Sequence, residues 1–190
     1  MPYPPIILAS ASPRRLELLA QIGVVPAAVI AAELDETPLK AELPSEHVQR
    51  LAEAKARKVS EAHPGKHILA ADTAVACGRR ILPKAETPDD VRACLKLMSS
   101  RRHRVYGGIC LVTPDGKART RLIQSVVKFK TMTRDEIDAY AASGEGIGKA
   151  GGYAIQGQAA ALIAFISGSY SNIVGLDLYA TAQLLRGAGA

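Results

Sequence analysis

Tryptophan is absent from the 190 residues, and only two phenylalanines and six tyrosines occur. So few rings leave single-stranded nucleic acid little to stack on, and no RNA-recognition signature or zinc finger is present. Cysteine is scarce as well. Cys77, Cys94 and Cys110 are odd in number, widely spaced and form no C-x-x-C pair. That excludes a disulfide framework and fits reduced thiols in a cytosolic protein. Long apolar runs are also missing. The longest, Ala159 to Ile166, is far below the roughly 18 residues of a membrane span. The segment Met1-Pro2-Tyr3-Pro4-Pro5 puts no basic residue before the short apolar run that follows, so it does not read as a secretory signal. A cytoplasmic protein with no membrane partner is expected. No repeat, low-complexity tract or long linker interrupts the chain, and a single domain over residues 1–190 is expected.

What is present in excess is positive charge, with 24 Lys and Arg against 18 Asp and Glu and a net charge of +6. A basic balance favours anionic partners such as nucleotides, although a basic solvated surface gives the same count. At 48% hydrophobic and 22% charged the chain has an ordinary globular composition. Its length lets it bury roughly 70% of its unfolded surface without staples.

The pattern along the chain mixes strands and helices. Ile6 to Ala9 reads as a buried strand. Ser12-Pro13 reads as a capping hydroxyl with proline at the first helical position, and Gly23 as the end of that helix. A second helix is predicted over Ser45 to Ala62, and a central strand, apolar on both faces, over His67 to Cys77. Thr87-Pro88 opens a third helix, with Asp89 and Asp90 favourable to its dipole. Val105 to Val112 and Arg121 to Phe129 flank Pro114-Asp115-Gly116, a hairpin signal. Thr133 with Glu136 makes a capping box for a short helix ending at Gly144. Two short strands are expected around Gly157 within Gly151 to Ile166, then a last helix over Leu178 to Leu185. The class is α/β, and the hairpin argues against an all-parallel sheet.

The chemistry concentrates in Ser10-Ala11-Ser12-Pro13-Arg14-Arg15, between a strand and a helix. A helix N-terminus offers free N–H groups and a positive dipole end to an anion. Arginine forks match phosphate oxygens in pairs. Cations in a first turn oppose the dipole, and a bound polyphosphate removes that conflict. A solvated arginine pair beside an ordinary cap fits the spacing equally well. Asp72, in Ala71-Asp72-Thr73, sits inside an otherwise apolar strand, where an acid must be paired, protonated or metal-bound. It is the candidate general base or metal ligand, unless it merely caps a turn. Asp35-Glu36-Thr37 is an acidic cluster able to hold Mg²⁺ with phosphate oxygens, but acidic turns are common. Lys55 and Lys84 read as solvated lysines on these grounds alone. Gly144 to Ala150 faintly resembles a P-loop, but Ser143 and Ala150 stand where the pattern needs glycine and Ser or Thr. His47, His63, His67 and His103 show no metal-ligand spacing.

Taken together, these pieces resemble the Maf family. The similarity runs through Ser10-Ala11-Ser12-Pro13-Arg14-Arg15-Leu16-Glu17-Leu18-Leu19, Asp35-Glu36-Thr37, Ala54-Lys55-Ala56 and Ala71-Asp72-Thr73. It continues through Lys149-Ala150-Gly151-Gly152-Tyr153-Ala154-Ile155-Gln156-Gly157 and Gly168-Ser169-Tyr170-Ser171-Asn172-Ile173-Val174-Gly175-Leu176. The resemblance implies a mixed central sheet flanked by helices, two lobes with a deep cleft, as in Maf and ITPase-like folds. It also implies a homodimer. The implied activity is hydrolysis of a nucleoside triphosphate to the monophosphate and pyrophosphate with a divalent cation, Mg²⁺ or Mn²⁺. The family's catalytic aspartate falls on Asp72, and its phosphate- and metal-handling positions fall on Ser10, Arg14, Arg15, Glu36, Lys55 and Lys84. The metal positions would be Glu36 and Asp72. Thr73 and Gln156, with Arg14, mark the branch acting on dTTP and UTP, and Gln156 can offer a pyrimidine edge both a donor and an acceptor.

The sequence departs from the family pattern at three places. Ala85 replaces a usual proline after Lys84, which is expected to loosen that loop. Gly148 replaces a frequent aspartate, and Asp177 replaces a proline before the last helix, where it is expected to act as a cap. Two other functions remain open at this level. One is a nucleic-acid-binding regulator, which would show steep salt dependence. The other is a non-catalytic nucleotide-binding regulator of division or septation, against which the presence of Asp72, Glu36 and both lysines argues.

Overall fold

The computed structural model describes residues 3–189; Met1 and Pro2, which open the segment Met1-Pro2-Tyr3-Pro4-Pro5, and Ala190 lie outside them. In chain order the elements are β1 (Ile6–Leu8), α1 (Pro13–Gln21), β2 (Ala28–Val29), α2 (Pro44–Ala62), β3 (His67–Cys77), β4 (Arg80–Leu82) and α3 (Pro88–Met98). Then follow β5 (Arg102–Val112), β6 (Ala118–Phe129), α4 (Arg134–Ala142), a 3₁₀ turn (Gln158–Leu162), β7 (Ile163–Ser167), α5 (Tyr170–Val174) and α6 (Leu178–Ala188). The seven strands form one mixed sheet in the order β2-β1-β3-β5-β6-β7, with β4 also on β3. Only β1 pairs in parallel, with β2 and β3.

Strand period two assigns β3 to two cores. Ile68 and Ala70 pack with Ala52, Ala56 and Val59 of α2. Leu69, Ala71 and Val75 face the other way, into a larger core with Leu19 of α1, Leu95 of α3, Ile137 of α4 and Leu185 of α6. Helices therefore cover both faces of the sheet, which is why β3 is apolar from Ile68 to Cys77 except at Asp72 and Thr73.

The edges of β3 are treated differently. One pairs with β5 without a break from Ile68 to Ala76. The other is shared. Its start takes β1 in parallel, against His67 to Leu69, and its end takes β4, against Val75 to Cys77. Neither strand covers the stretch between Leu69 and Val75. β1 stops there because the chain turns into α1 at Pro13, whose ring supplies the helical φ and whose missing N–H is no loss at that position. β4 starts where Gly78, at φ 61°, turns the chain back. The gap separates a lobe with β1 and β2 from a lobe with β4, and the cleft opens at Asp72 and Thr73.

Three local expectations change. Ser12 is the N-cap of α1, but its side chain makes no capping hydrogen bond. Ser10 Oγ instead accepts the Ser12 N–H at 3.2 Å. The first of the two strands expected around Gly157 does not form. Gly151 and Gly152 have φ of 67° and 68°, a left-handed pair that bends the chain, and only β7 follows. β2, β4 and α5 were not expected, being too short to show a hydrophobic period.

Candidate functional site

Asp72 and Thr73, being neighbours on a strand, project to opposite faces of the sheet. Asp72 is 7% exposed and lies on the face covered by α2. Lys55 of α2 donates to Asp72 Oδ1 at 2.7 Å. The same Nζ lies 2.6 Å from Glu36 Oε1, and Glu36 Oε2 takes Lys84 Nζ at 2.6 Å. Asp72, Lys55, Glu36 and Lys84 thus form one alternating chain of charges. Burial pulls the Glu36 pKa upward, but the hydrogen bonds and charges of Lys55 and Lys84 outweigh it and bring the carboxyl down to about 2. Lys55 is buried rather than solvated, and the reason lies on β5. Gly108 pairs with Asp72, and a Cβ on Gly108 would stand 2.2 Å from the Val48 carbonyl oxygen. Without that carbon α2 comes close onto the sheet, and Lys55, two turns further along, is delivered to Asp72.

On the opposite face the two arginines of α1 part company. Arg15 Nε donates to the Gly175 carbonyl at 2.9 Å, Nη1 to Ser10 Oγ at 2.8 Å and Nη2 to Thr73 Oγ1 at 3.3 Å. Its fork ties α1 to β3 and to the turn after α5. Burial lowers its pKa, with the Asp72 charge acting against that shift. Thr73 Oγ1 is held in turn by the Gly175 carbonyl. That carbonyl is in reach because α5 docks through Asn172. Asn172 Nδ2 donates to the Val105 carbonyl and to Ser125 Oγ. A Cβ on Gly107 would stand 2.0 Å from Asn172 Oδ1, so glycine is required there.

The Arg14 guanidinium makes no hydrogen bond or ion pair among the described residues, and neither does the Lys149 ammonium. Burial lowers the Lys149 pKa and the Arg14 charge lowers it further, so these two free cations share one region of the cleft. Beside them stands the N-terminus of α1, with no acidic residue in its first turn and the Ser12 hydroxyl outside any cap.

The segment carrying Lys84 is laced to the far wall. Lys84 bridges to Ala150, Ala85 N–H reaches the Lys149 carbonyl at 3.1 Å and Gly148 N–H reaches the Ala85 carbonyl at 2.7 Å. The loosening expected from the absence of proline at 85 is not found. Ala85 is fully buried and makes a backbone bond that proline lacks the hydrogen to make. Gly148 takes φ 71°, which explains glycine there. Asp177 caps α6, accepting the Ala180 N–H at 2.6 Å, as expected.

Ser10, Arg14, Arg15, Glu36, Lys55, Asp72, Thr73 and Lys84 all line one cleft of about 380 Å³. The family profile described as Maf-like protein matches residues 5–188. The chain belongs to the Maf family. Similar proteins within reach of this Maf sequence include the dTTP/UTP pyrophosphatase of Paramagnetospirillum magneticum, 62% identical with 97% of each chain covered. The dTTP/UTP pyrophosphatase of Sphingopyxis alaskensis is 56% identical, covering 98% of this chain and 97% of its own. That of Caulobacter vibrioides is also 56% identical, with 98% and 96% covered.

Of the site residues that the resemblance implies for this Maf sequence, Gln156 alone is not brought into the cleft, and Asp35 of the acidic cluster also lies outside its lining. Gln156 is exposed and outside the lining, and its amide makes no hydrogen bond among the described residues. Sequence reasoning missed Lys149 and Tyr153, which do line it; a basic and an aromatic residue inside a glycine-rich stretch were the available signals. It also missed Asn172, whose part depends on contacts with β5 and β6. No group of three or more His, Cys, Asp or Glu side chains converges among the described residues. Among the described residues, no helix is long and apolar enough to cross a membrane.

Proposed function

We propose that this Maf protein hydrolyses dTTP and UTP between the α and β phosphates, releasing the nucleoside monophosphate and pyrophosphate. The observation that carries the reading is the meeting, in one cleft, of the Asp72–Lys55–Glu36–Lys84 chain with the free cations Arg14 and Lys149 beside a helix N-terminus. The names of the similar proteins support the substrate class.

In this reading the triphosphate lies against Arg14, Lys149 and the N–H groups of α1, which hold an anion without further rearrangement. Ser10 and Arg15 keep that helix in place. Asp72 accepts a proton from the attacking water, so that a water oxygen bonds to the α phosphorus while the bond to the bridging oxygen breaks. Lys55 and Lys84 neutralise charge gathering on the departing pyrophosphate. The donor set fits a hard divalent cation such as Mg²⁺ or Mn²⁺. Two carboxylates meet at one ammonium, and such an ion needs only one or two carboxylates, with phosphate oxygens and water completing its shell. When bound at Glu36 and Asp72, the ion would withdraw charge from the phosphates.

The test is release of pyrophosphate from dTTP, UTP, CTP, ATP, GTP and 7-methyl-GTP, with and without Mg²⁺. Efficient turnover of dTTP and UTP, weaker action on CTP and little on the purines is expected, with loss of turnover in chelator. A preference for 7-methyl-GTP over dTTP and UTP would overturn the substrate assignment while leaving the reaction class standing. Binding of nucleotide without any turnover would favour a regulatory role.

A further inference from the structure

Residues 30–43, between β2 and α2, form neither helix nor strand. From Ala31 to Pro38 the backbone makes no hydrogen bond to other backbone among the described residues. Yet this segment supplies Ala31, Ala32 and Glu36 to the cleft wall. Side chains of α2 hold it there. Lys58 Nζ donates to the Glu33 carbonyl, Lys55 Nζ pairs with Glu36 Oε1 at 2.6 Å, and Arg50 Nη2 donates to the Thr37 carbonyl at 3.3 Å. From Arg50 to Lys58 along the helix, the contacts step backward from Thr37 to Glu33, so the segment lies antiparallel along α2.

One end of the segment is fastened by a carboxylate that lies outside the cleft lining, that of Glu42. Its Oε1 accepts Arg50 Nε at 2.6 Å, and its Oε2 accepts Arg50 Nη2 and the Leu39 N–H, each at 2.9 Å. His47 Nδ1 lies 2.9 Å from the same Oε2. The paired bonds to the guanidinium fix Arg50 in one orientation, with Nη2 also aimed at the Thr37 carbonyl. The Leu39 bond works together with the Glu42 N–H, which donates to the Leu39 carbonyl at 3.1 Å, to close the turn into α2. Ala41 in that turn takes φ 62°, a left-handed conformation that alanine keeps only where its surroundings enforce it. Glu42 therefore sets both the turn and the arginine that anchors Thr37, the residue next to Glu36.

We propose that Glu42, acting through Arg50, is a positioning residue that clasps residues 33–42 to α2 and so keeps the Glu36 carboxylate between Lys55 and Lys84. The part Glu36 takes in turnover rests on the function proposed above; its place between the two ammoniums does not. Glu36 follows β2 and Lys84 follows β4, so their pair links the two lobes across the cleft. The Lys84 side chain is 59% exposed, and so solvated an ion pair holds little by itself. A segment without a backbone ladder keeps its freedom unless other side chains remove it. Released from Glu42, it presents the Glu36 carboxylate over a range of positions, and Lys55 and Lys84 lose the group that spaces them.

The experiment follows hydrogen exchange of residues 31–40, and kcat and KM for dTTP, in wild type, Glu42→Ala, Glu42→Gln, Arg50→Lys, Glu36→Ala and the Glu42→Ala/Glu36→Ala double variant. Glu53→Ala is the control, because it removes an ion pair with Arg57 on the same helix that reaches neither residues 30–43 nor the cleft lining among the described residues. Glu42→Ala is expected to speed exchange of the segment about tenfold while the sheet keeps its protection. It should lower kcat about tenfold and change KM for dTTP by no more than about threefold. Glu42→Gln, which keeps one acceptor oxygen, and Arg50→Lys, which keeps the charge without the fork, should fall between. They keep the test usable where the alanine variant folds poorly. The double variant should be no slower than Glu36→Ala, since both changes remove one interaction. Glu53→Ala should match wild type in both measurements. Unchanged exchange in folded Glu42→Ala overturns the clasp, and an unchanged kcat beside faster exchange overturns its link to turnover. Additive losses in the double variant also overturn that link, because Glu42 would then act independently of Glu36. A fully active Glu36→Ala removes Glu36 from the proposed reaction, whereas an active Glu42→Ala beside an impaired Glu36→Ala removes the clasp alone.

Discussion

At the scale of single residues, the adjacent arginines of α1 do different work. Arg15 directs three hydrogen bonds to protein acceptors, whereas Arg14 has none among the described residues. Arg14→Ala should therefore lower kcat/KM by about 10²-fold and leave the urea midpoint unchanged. Arg15→Ala should lose activity and also about 1–3 kcal/mol of stability, because Ser10, Thr73 and Gly175 each lose the Arg15 donor and the tie between α1, β3 and the turn after α5 is cut. Urea unfolding of the two variants side by side decides it, and equal midpoints would remove the distinction. Asp72→Asn keeps the shape and removes the charge. Turnover should fall by about 10³-fold or more while nucleotide binding by calorimetry persists, and an active variant would move the general base elsewhere, with Glu36 as the nearest carboxylate in the same charge chain.

At the scale of elements, the site depends on how closely two helices approach the sheet. Gly108 admits α2 and Gly107 admits Asn172 before α5 ends. Gly108→Ala forces α2 outward and should cost about 1–3 kcal/mol. It should also reduce kcat, because Lys55 moves with the helix. Thr87→Ala at the cap of α3, whose hydroxyl accepts the Asp90 N–H, should cost about 1 kcal/mol and leave kcat/KM within about twofold, α3 lying away from the cleft lining. Urea titration and initial rates on both variants check the contrast. A stable, fully active Gly108→Ala would show that α2 is not held by that contact. The helices with local start signals were legible in advance. Pro13, Thr87-Pro88 and Thr133 with Glu136 each mark a helix start within a few residues. The short strands and α5 were not, since two to five residues carry no period. Gly151 to Gly157 read as a strand from its apolar residues, and the left-handed glycine pair overrode them.

At the scale of the whole molecule, the two cores differ in polarity. The larger one encloses His103, 1% exposed, bonded through Nε2 to the Tyr153 hydroxyl and stacked on Phe129, with Nδ1 unpartnered among the described residues. Burial lowers its pKa to about 4. Because this lies below the unfolded value near 6.5, the unfolded chain binds the proton more readily. Stability from neutral His103 is then complete above about pH 6.5 and declines as pH falls to about 4, by roughly 3 kcal/mol in all. Glu36, with its pKa near 2, adds its own loss only below its unfolded value near 4.5. Urea midpoints at pH 7 and pH 5 should differ in wild type and converge in His103→Phe; an equal difference in both would assign the acid loss to other groups. The α/β class, the helix starts, the hairpin and the clustering of anion-binding residue types followed from the sequence alone, because each is set by neighbours in the chain. Only the tertiary structure decided that Arg15 gives its fork to a carbonyl 160 residues away, that Lys55 is buried between two carboxylates, that Ala85 tightens rather than loosens its loop, and that Gln156 stays outside the cleft. Those outcomes turn on which distant donor meets which acceptor across the open edge of β3, and such pairings are set by packing that leaves no period or spacing in the chain.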